Sequence, residues 1–204
     1  MRKTDHLVYC VPNLEEAMDS LSKKIGVPIV YGGKHPNHGT HNALTGLGDG
    51  AYLELLAIDP ENTEIQGPKW MGLSLVDSPT LSRWALKSSD IKKDVTILNE
   101  FGKNDRKIIT GSRRRSDGTL LRWEMLEPLP TPKISAIPFF VDWKDSPHPT
   151  TSLPNECKLV EIRVPDLKKI APLFKTLKVG IPYKQSQNES FQAVIETPKG
   201  LVVL

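Results

Sequence analysis

A chain of 204 residues can bury a sizeable core, as one large domain or two small ones. Hydrophobic residues at 38% and charged residues at 25% fit an ordinary globular protein. A net charge of +3, from 27 basic and 24 acidic side chains, is too balanced to argue for nucleic acid or an anionic membrane as partner.

The chain opens with a strand-like run, Asp5-His6-Leu7-Val8-Tyr9-Cys10-Val11, stopped by Pro12. Asn13 is a good N-cap, and apolar residues at 14, 17, 18, 21 and 25 carry the helical period up to Gly26. Residues 33–42 hold His35, His38 and His41 among glycine and proline and read as a loop. Thr40 to Leu47 and Ala51 to Ile58 read as a hairpin around Gly48-Asp49-Gly50.

Much of this pattern returns twice. Leu81 to Asp90 is a strand leading to a cap, Ile91 to Phe101 a helix stopped by Gly102, and Lys107 to Arg115 with Thr119 to Leu126 a hairpin around Ser116-Asp117-Gly118. Leu159 to Val164, Pro165 and the helix from Leu167 repeat the opening most closely, with a last pair of strands around Pro198-Lys199-Gly200. Proline-rich stretches at 59–69, 128–138 and 144–155 read as linkers. The expected fold class is α+β: repeated β-α-β-β-β modules forming a curved mixed sheet around a cavity, with a third, abbreviated C-terminal module. The expected boundaries are 1–60, 61–143 and 144–204. One such unit exposes an apolar sheet face and cannot stand alone.

His6 and Glu54 sit in strand-like runs, Glu54 in one too apolar for an ordinary surface. An imidazole and a carboxylate are common ligands of a catalytic divalent ion, and they also form structural pairs. Tyr52 to Leu56 lines up with Arg122 to Leu126, which sets Glu124 opposite Glu54 and, by alternation, on one face with Arg122. Arg113 and Arg115 share one face of their strand and Arg114 the other. They read as edge protection by charge, or as an anion clamp. Thr40 and Asn42 are polar residues entering a strand. Phe139, Phe140 and Trp143 could wall a pocket, and His148, between two prolines, could close over it. Trp70 and Trp84 read as packing residues, Trp84 also as a wall for a planar ligand. Cys10 and Cys157 lack metal-type spacing and read as reduced core thiols. No signal region and no run of eighteen apolar residues stands out, so a cytoplasmic protein is expected.

The Asp5-His6-Leu7-Val8 opening, Gly39 to Leu44, Tyr52-Leu53-Glu54-Leu55-Leu56 and Pro138 to Trp143 together resemble the glyoxalase-like domain proteins of the vicinal oxygen chelate superfamily. The resemblance covers nearly the whole chain. It implies a cupped sheet around a divalent metal (zinc, nickel, manganese or iron) whose ligands come from the first and last strands of paired modules. His6 and Glu54 would be the first module's ligands. In the second module Glu124 stands at the last-strand position, whereas the first-strand position falls near Arg83 or Trp84, neither a plausible ligand. The implied activity is that of a lyase or isomerase on a small oxygen-rich metabolite, with Glu54 and Glu124 as catalytic carboxylates. His35, His41, Thr40, Asn42, Trp84, Arg122, Phe139 and Trp143 would contact the substrate. The alternatives are a metal-free binding or sequestering protein and an extradiol-type dioxygenase, the latter wanting two histidines and a carboxylate. A homodimer whose second chain completes the site would account for the incomplete ligand set.

Overall fold

The structure is a computed structural model that describes residues 1–102, 105–114 and 118–204. The first module runs β1 (Thr4–Cys10), α1 (Leu14–Ile25), β2 (Val30–His35), β3 (Thr40–Gly46) and β4 (Tyr52–Ile58). The second runs β5 (Thr80–Lys87), α2 (Ile91–Gly102), β6 (Ile108–Arg114), β7 (Leu120–Leu126) and β8 (Phe139–Asp142). The C-terminal unit runs β9 (Lys158–Val164), α3 (Leu167–Leu177), β10 (Tyr183–Gln185), β11 (Gln192–Thr197) and β12 (Gly200–Val203).

Local chemistry sets α1. The Asn13 side chain accepts the Glu16 amide at 3.1 Å, Glu15 and Glu16 occupy the first turn, Lys23 and Lys24 the last, and Gly26 ends the helix at φ 77°. The helix buries Leu14, Ala17, Leu21 and Ile25, and each large aliphatic side chain contributes about 1.5–3 kcal/mol.

The two modules form one eight-stranded sheet in the order β2-β3-β4-β1-β5-β8-β7-β6. Within each module the first strand lies parallel to the last: Val8 pairs with Glu54, and Ala85 with Phe139. The modules meet where β1 runs antiparallel to β5, Leu7 opposite Trp84. An approximate twofold through that pair equates His6 with Arg83 and Glu54 with Phe139. The edge strands β2 and β6 also approach each other, so the sheet curls almost into a barrel. Gly32 and Gly33 permit this. A Cβ on Gly32 would lie 2.9 Å from Arg113 Nη1, and one on Gly33 3.2 Å from Arg113 Cδ. The cup is thus completed within one chain.

Two expectations change here. Residues 33–42 are mostly strand: β2 ends at His35, and β3 starts at Thr40. Glu124 is not on the last strand of its module. It lies on β7, the counterpart of β3, and the short β8 after the linker is the counterpart of β4. Ser116 and Asp117 of the expected turn, and Arg115, lie outside the described residues.

The C-terminal unit keeps the element order but forms its own four-stranded sheet, β10-β9-β11-β12, in which β9 lies parallel to the strand that directly follows its helix. Backbone bonds stitch it to the first module, Gly46 N to Pro154 O and Leu159 N to Leu47 O, both 2.8 Å. No helix among the described residues is long and apolar enough to cross a membrane.

Candidate functional site

The concave face of the large sheet gathers His6, His35, Asn42, Tyr52 and Glu54 from the first module and Arg113, Trp123, Met125 and Trp143 from the second. Trp70 and Met71, between the modules, close one side. The open space among them is about 30 Å³, room for about one water. Larger cavities of about 400 and 530 Å³ lie elsewhere, along the segment before β1, but neither contains a histidine.

A line of polar contacts runs through this site. His6 Nδ1 is 2.7 Å from Asp5 Oδ1, and His6 Nε2 faces Glu54 Oε2 at 3.6 Å. Asn42 Nδ2 donates to the other oxygen, Glu54 Oε1, at 2.6 Å. His35 joins from the side, its Nδ1 3.1 Å from Thr40 Oγ1 and its Nε2 3.5 Å from Asn42 Nδ2. Behind His6, Asp5 Oδ2 receives Trp143 Nε1 at 3.0 Å and faces His148 Nε2 at 3.1 Å. The His6 ring stacks on Tyr52 at 4.8 Å and meets the Phe139 edge at 5.4 Å.

Strict strand alternation would put Asp5 and His6 on opposite faces. The β1–β5 register shifts between Thr4 and His6, and this irregularity lets the Asp5 carboxylate reach round to the neighbouring imidazole.

The electrostatics follow from burial. Burial alone would raise the Asp5 carboxyl, but hydrogen bonds from His148 and His6, and their charge, hold it well below the usual carboxylate range. Asp5 is therefore ionised and accepts a hydrogen bond from His6 Nδ1–H, which leaves Nε2 facing Glu54. Burial, then the nearby charge of Arg113, pushes His35 down to about 3, so it stays neutral near pH 7. Burial, then the charges of Asp5 and Glu54, raises the Tyr52 phenol well above its ordinary value. Asn42 Oδ1 is buried and has no hydrogen-bond partner. It is an unpaired acceptor in the lining of the site, beside Gly32.

Residues 4–177 match the glyoxalase-like domain family. The chain belongs to that family. The match places it in the vicinal oxygen chelate superfamily, as its paired modules also indicate. Among solved structures, a hypothetical protein from Staphylococcus aureus is 14% identical, with a TM-score of 0.63 over 100% of this chain and 85% of that one. Methylmalonyl-CoA epimerase from Mycobacterium tuberculosis is 18% identical, with a TM-score of 0.44 over 73% of this chain and 91% of the epimerase. The Streptomyces coelicolor epimerase in complex with 2-nitronate-propionyl-CoA is 16% identical, with a TM-score of 0.46 over 72% and 98%. At 14% identity the likeness to the Staphylococcus aureus protein is one of fold alone. No curated protein matches.

Within this glyoxalase-like frame the structure brings His6, Glu54, His35, Thr40, Asn42, Phe139 and Trp143 together and leaves four expected site residues outside. Glu124 alternates with Trp123 and Met125, which face the cavity. It points the other way and pairs with Lys144 at 2.7 Å. Arg122, on the same outer side, is exposed, and its backbone amide donates to Ser146 Oγ at 2.8 Å. His41 alternates with Asn42 and lies edge-on to Tyr31 at 6.3 Å. Trp84 alternates with the cup face and packs against Phe174 of α3 at 5.5 Å. Arg113 is buried, not an exposed edge guard, whereas Arg114 is exposed, as alternation requires. His38 stacks on Trp70 at 3.7 Å. Asp5, Tyr52 and Trp123 are site residues the sequence reading did not single out. Asp5 had a signal, a carboxylate next to the strand histidine.

A divalent ion has a poor donor set here. His6 and Glu54 stand ready, but their second-module counterparts are Arg83 and Phe139. Arg83 is committed to the carbonyls of Ser82, Lys133, Leu129 and Pro132, and Phe139 is no ligand. Arg113 adds a positive charge to the same cavity. Among the described residues no group of three or more His, Cys, Asp or Glu side chains is placed to hold a metal. The two-histidine triad of a dioxygenase is likewise not assembled from them.

Proposed function

We propose that this protein is an enzyme of the lyase or isomerase type that moves a proton on a small, oxygen-rich metabolite, with His6 and Glu54 as its acid–base pair. The observation that carries this reading is the line Asp5–His6–Glu54. A buried ionised carboxylate fixes the imidazole, and the free nitrogen faces a second carboxylate across 3.6 Å. One member of the pair takes a proton from a carbon beside a carbonyl, and that same proton, carried by the pair, is returned to the neighbouring atom. No outside oxidant or reductant is needed. Asn42 holds Glu54 in place and offers its unpaired Oδ1 to a substrate hydroxyl. The Arg113 guanidinium lines the same cavity and favours the oxyanion that develops as the proton leaves. Arg113, Asn42 and Glu54 suit a substrate with several oxygens, such as a hydroxy or oxo acid. No step is routed through a divalent ion, because the donor set does not fit one.

The test is proton exchange. Wild type is incubated in D₂O with a panel of small 2-oxo and 2-hydroxy acids, and loss of the α-proton signal is followed by NMR. Wild type washes out at least one member, and His6→Gln and Glu54→Gln slow this by about 10²-fold or more. Equal rates in wild type and both variants would remove the pair from the chemistry. Elemental analysis of tag-free wild type and His6→Ala tests the metal. Near-stoichiometric metal in wild type, lost in His6→Ala, would reverse the reading of the donor set.

A second reading has its own support: Trp70, Trp123 and Trp143 line the cavity with Arg113, a lining suited to holding a planar anion. Saturable binding of such a compound, with no proton exchange, would favour a sequestering protein.

A further inference from the structure

The largest of the cavities named above, about 530 Å³, is separate from this site. It lies in a seam between the segment before β1, the end of β5, the start of α2 and the end of α3. Arg2, Lys3, Lys87, Lys93 and Lys178 line it, together with the hydroxyl residues Ser88, Ser89 and Thr176. No acidic side chain is in that lining. Behind the lining, the buried carboxylate of Asp94 is already committed: Arg2 Nη1 and Ser88 Oγ each donate to its Oδ2 at 2.7 Å. This pair fixes one wall. The ammonium groups of Lys3, Lys87, Lys93 and Lys178 make no hydrogen bond or ion pair among the described residues.

Arg2 is balanced by Asp94, which leaves four cations around one cavity, more than the net charge of the whole chain, which is +3. Such crowding is unfavourable without a counter-charge. Lys87 is half-buried, and its ammonium is lowered chiefly by burial; the charge of Asp5 opposes this, and the charge of Lys3 adds to it. The volume falls in the range of small-molecule sites. Four unpaired ammonium groups with hydroxyl donors beside them match a ligand of about three to four negative charges, and one phosphate group carries roughly two.

We propose that this seam is a binding site for a small metabolite carrying two or more phosphate groups. It is independent of the proton-transfer reading, because it shares no residue with the cup.

The probe is inorganic tripolyphosphate, titrated calorimetrically into the full chain at fixed ionic strength. Sulfate, citrate and a short single-stranded oligonucleotide serve as comparison ligands. The expected result is one saturable site per chain for tripolyphosphate, tighter than for any comparison ligand. Lys3→Ala with Lys178→Asn weakens it at least tenfold and flattens its salt dependence. Both residues are exposed, and asparagine tolerates the left-handed backbone at 178, so the fold survives. Affinity equal to sulfate, or unchanged in the double variant, overturns the site. Tighter binding of citrate overturns the phosphate assignment, and tighter binding of the oligonucleotide overturns the small-molecule one.

Discussion

His148 Nε2 and Asp5 Oδ2 are 143 positions apart in sequence and 3.1 Å apart in space. The contact ties the segment after β8 back to the first strand, directly behind His6. Trp143 reinforces it from the same segment. The C-terminal half of the chain thus supplies two residues that hold Asp5, the carboxylate that in turn holds the first module's histidine.

Asp5 is accordingly the residue whose charge matters most to this site. Asp5→Asn keeps the shape but removes an ionised acceptor from three buried or half-buried donors. A loss of about 3 kcal/mol is expected, read as a lower urea midpoint with an unchanged slope. His148→Ala removes one donor only and costs less. The double variant falls short of the sum, because both changes act on the same contact. Strict additivity would show that His148 does not act through Asp5.

Two buried groups, His35 and Asp5, contribute to acid unfolding, and His38, also lowered by burial, adds to the first. His35 is pushed down to about 3 by burial and by Arg113, whereas in the unfolded chain it titrates near 6.5. As pH falls below about 6.5 the unfolded state takes up this proton first, and the native state loses about 1.4 kcal/mol per pH unit. Asp5 lies below its ordinary value, so its contribution is complete above about pH 4 and is lost below that. The urea midpoint therefore falls from pH 7 to 5. His35→Gln makes that stretch shallower, with the remainder left to His38, and leaves the drop below pH 4 intact. A midpoint that rises between pH 7 and 5 would contradict the buried neutral imidazole.

The cysteines supply a third expectation. Burial pushes the Cys10 thiol up to about 12, and Cys157 is also buried and raised by burial. Neither reacts with a thiol reagent in the native protein, and both react in urea. Rapid native labelling of Cys10 would mean that the core between β1 and β5 opens.

What the sequence made legible was whatever local chemistry decides. Asn13 and Gly26 bound α1, Gly48-Asp49-Gly50 turns the β3–β4 hairpin, and His6 and Glu54 face each other because both stand on strands of one module. What it hid was long-range. Gly33 reads as the start of a loop, yet Gly32 and Gly33 lie in a strand, with Arg113 packed across them. Glu124 resembles Glu54 because β7 and β4 carry similar residues, but only the pairing of β8 with β5 shows which strand ends the module. Asp5 is placed by a register shift that no periodicity announces.

Gly32 gives a direct handle on that closure. A methyl group at this position would lie 2.3 Å from Asn42 Oδ1 and 2.9 Å from Arg113 Nη1. Gly32→Ala therefore displaces both side chains from the site and costs about 1–3 kcal/mol. Ligand-dependent stabilisation should fall with it. Full ligand binding by Gly32→Ala would mean that Asn42 and Arg113 are not held in place by the meeting of β2 and β6.

Trp84 tests the opposite face of the sheet. It is fully buried, donates to Ala136 O at 2.7 Å, and packs against Phe174 and Phe191 of the C-terminal unit. Trp84→Phe deletes the donor and leaves the carbonyl unpaired, at a cost of about 1–3 kcal/mol. Trp84→Ala adds a cavity between the two sheets and costs about 3–5 kcal/mol. Because the side chain lies outside the cup, Trp84→Phe leaves the proton-exchange rate of the folded protein unchanged. A drop in that rate under conditions where the variant is fully folded would show that the C-terminal unit, packed on the convex side through Trp84, controls the position of His6 on the other.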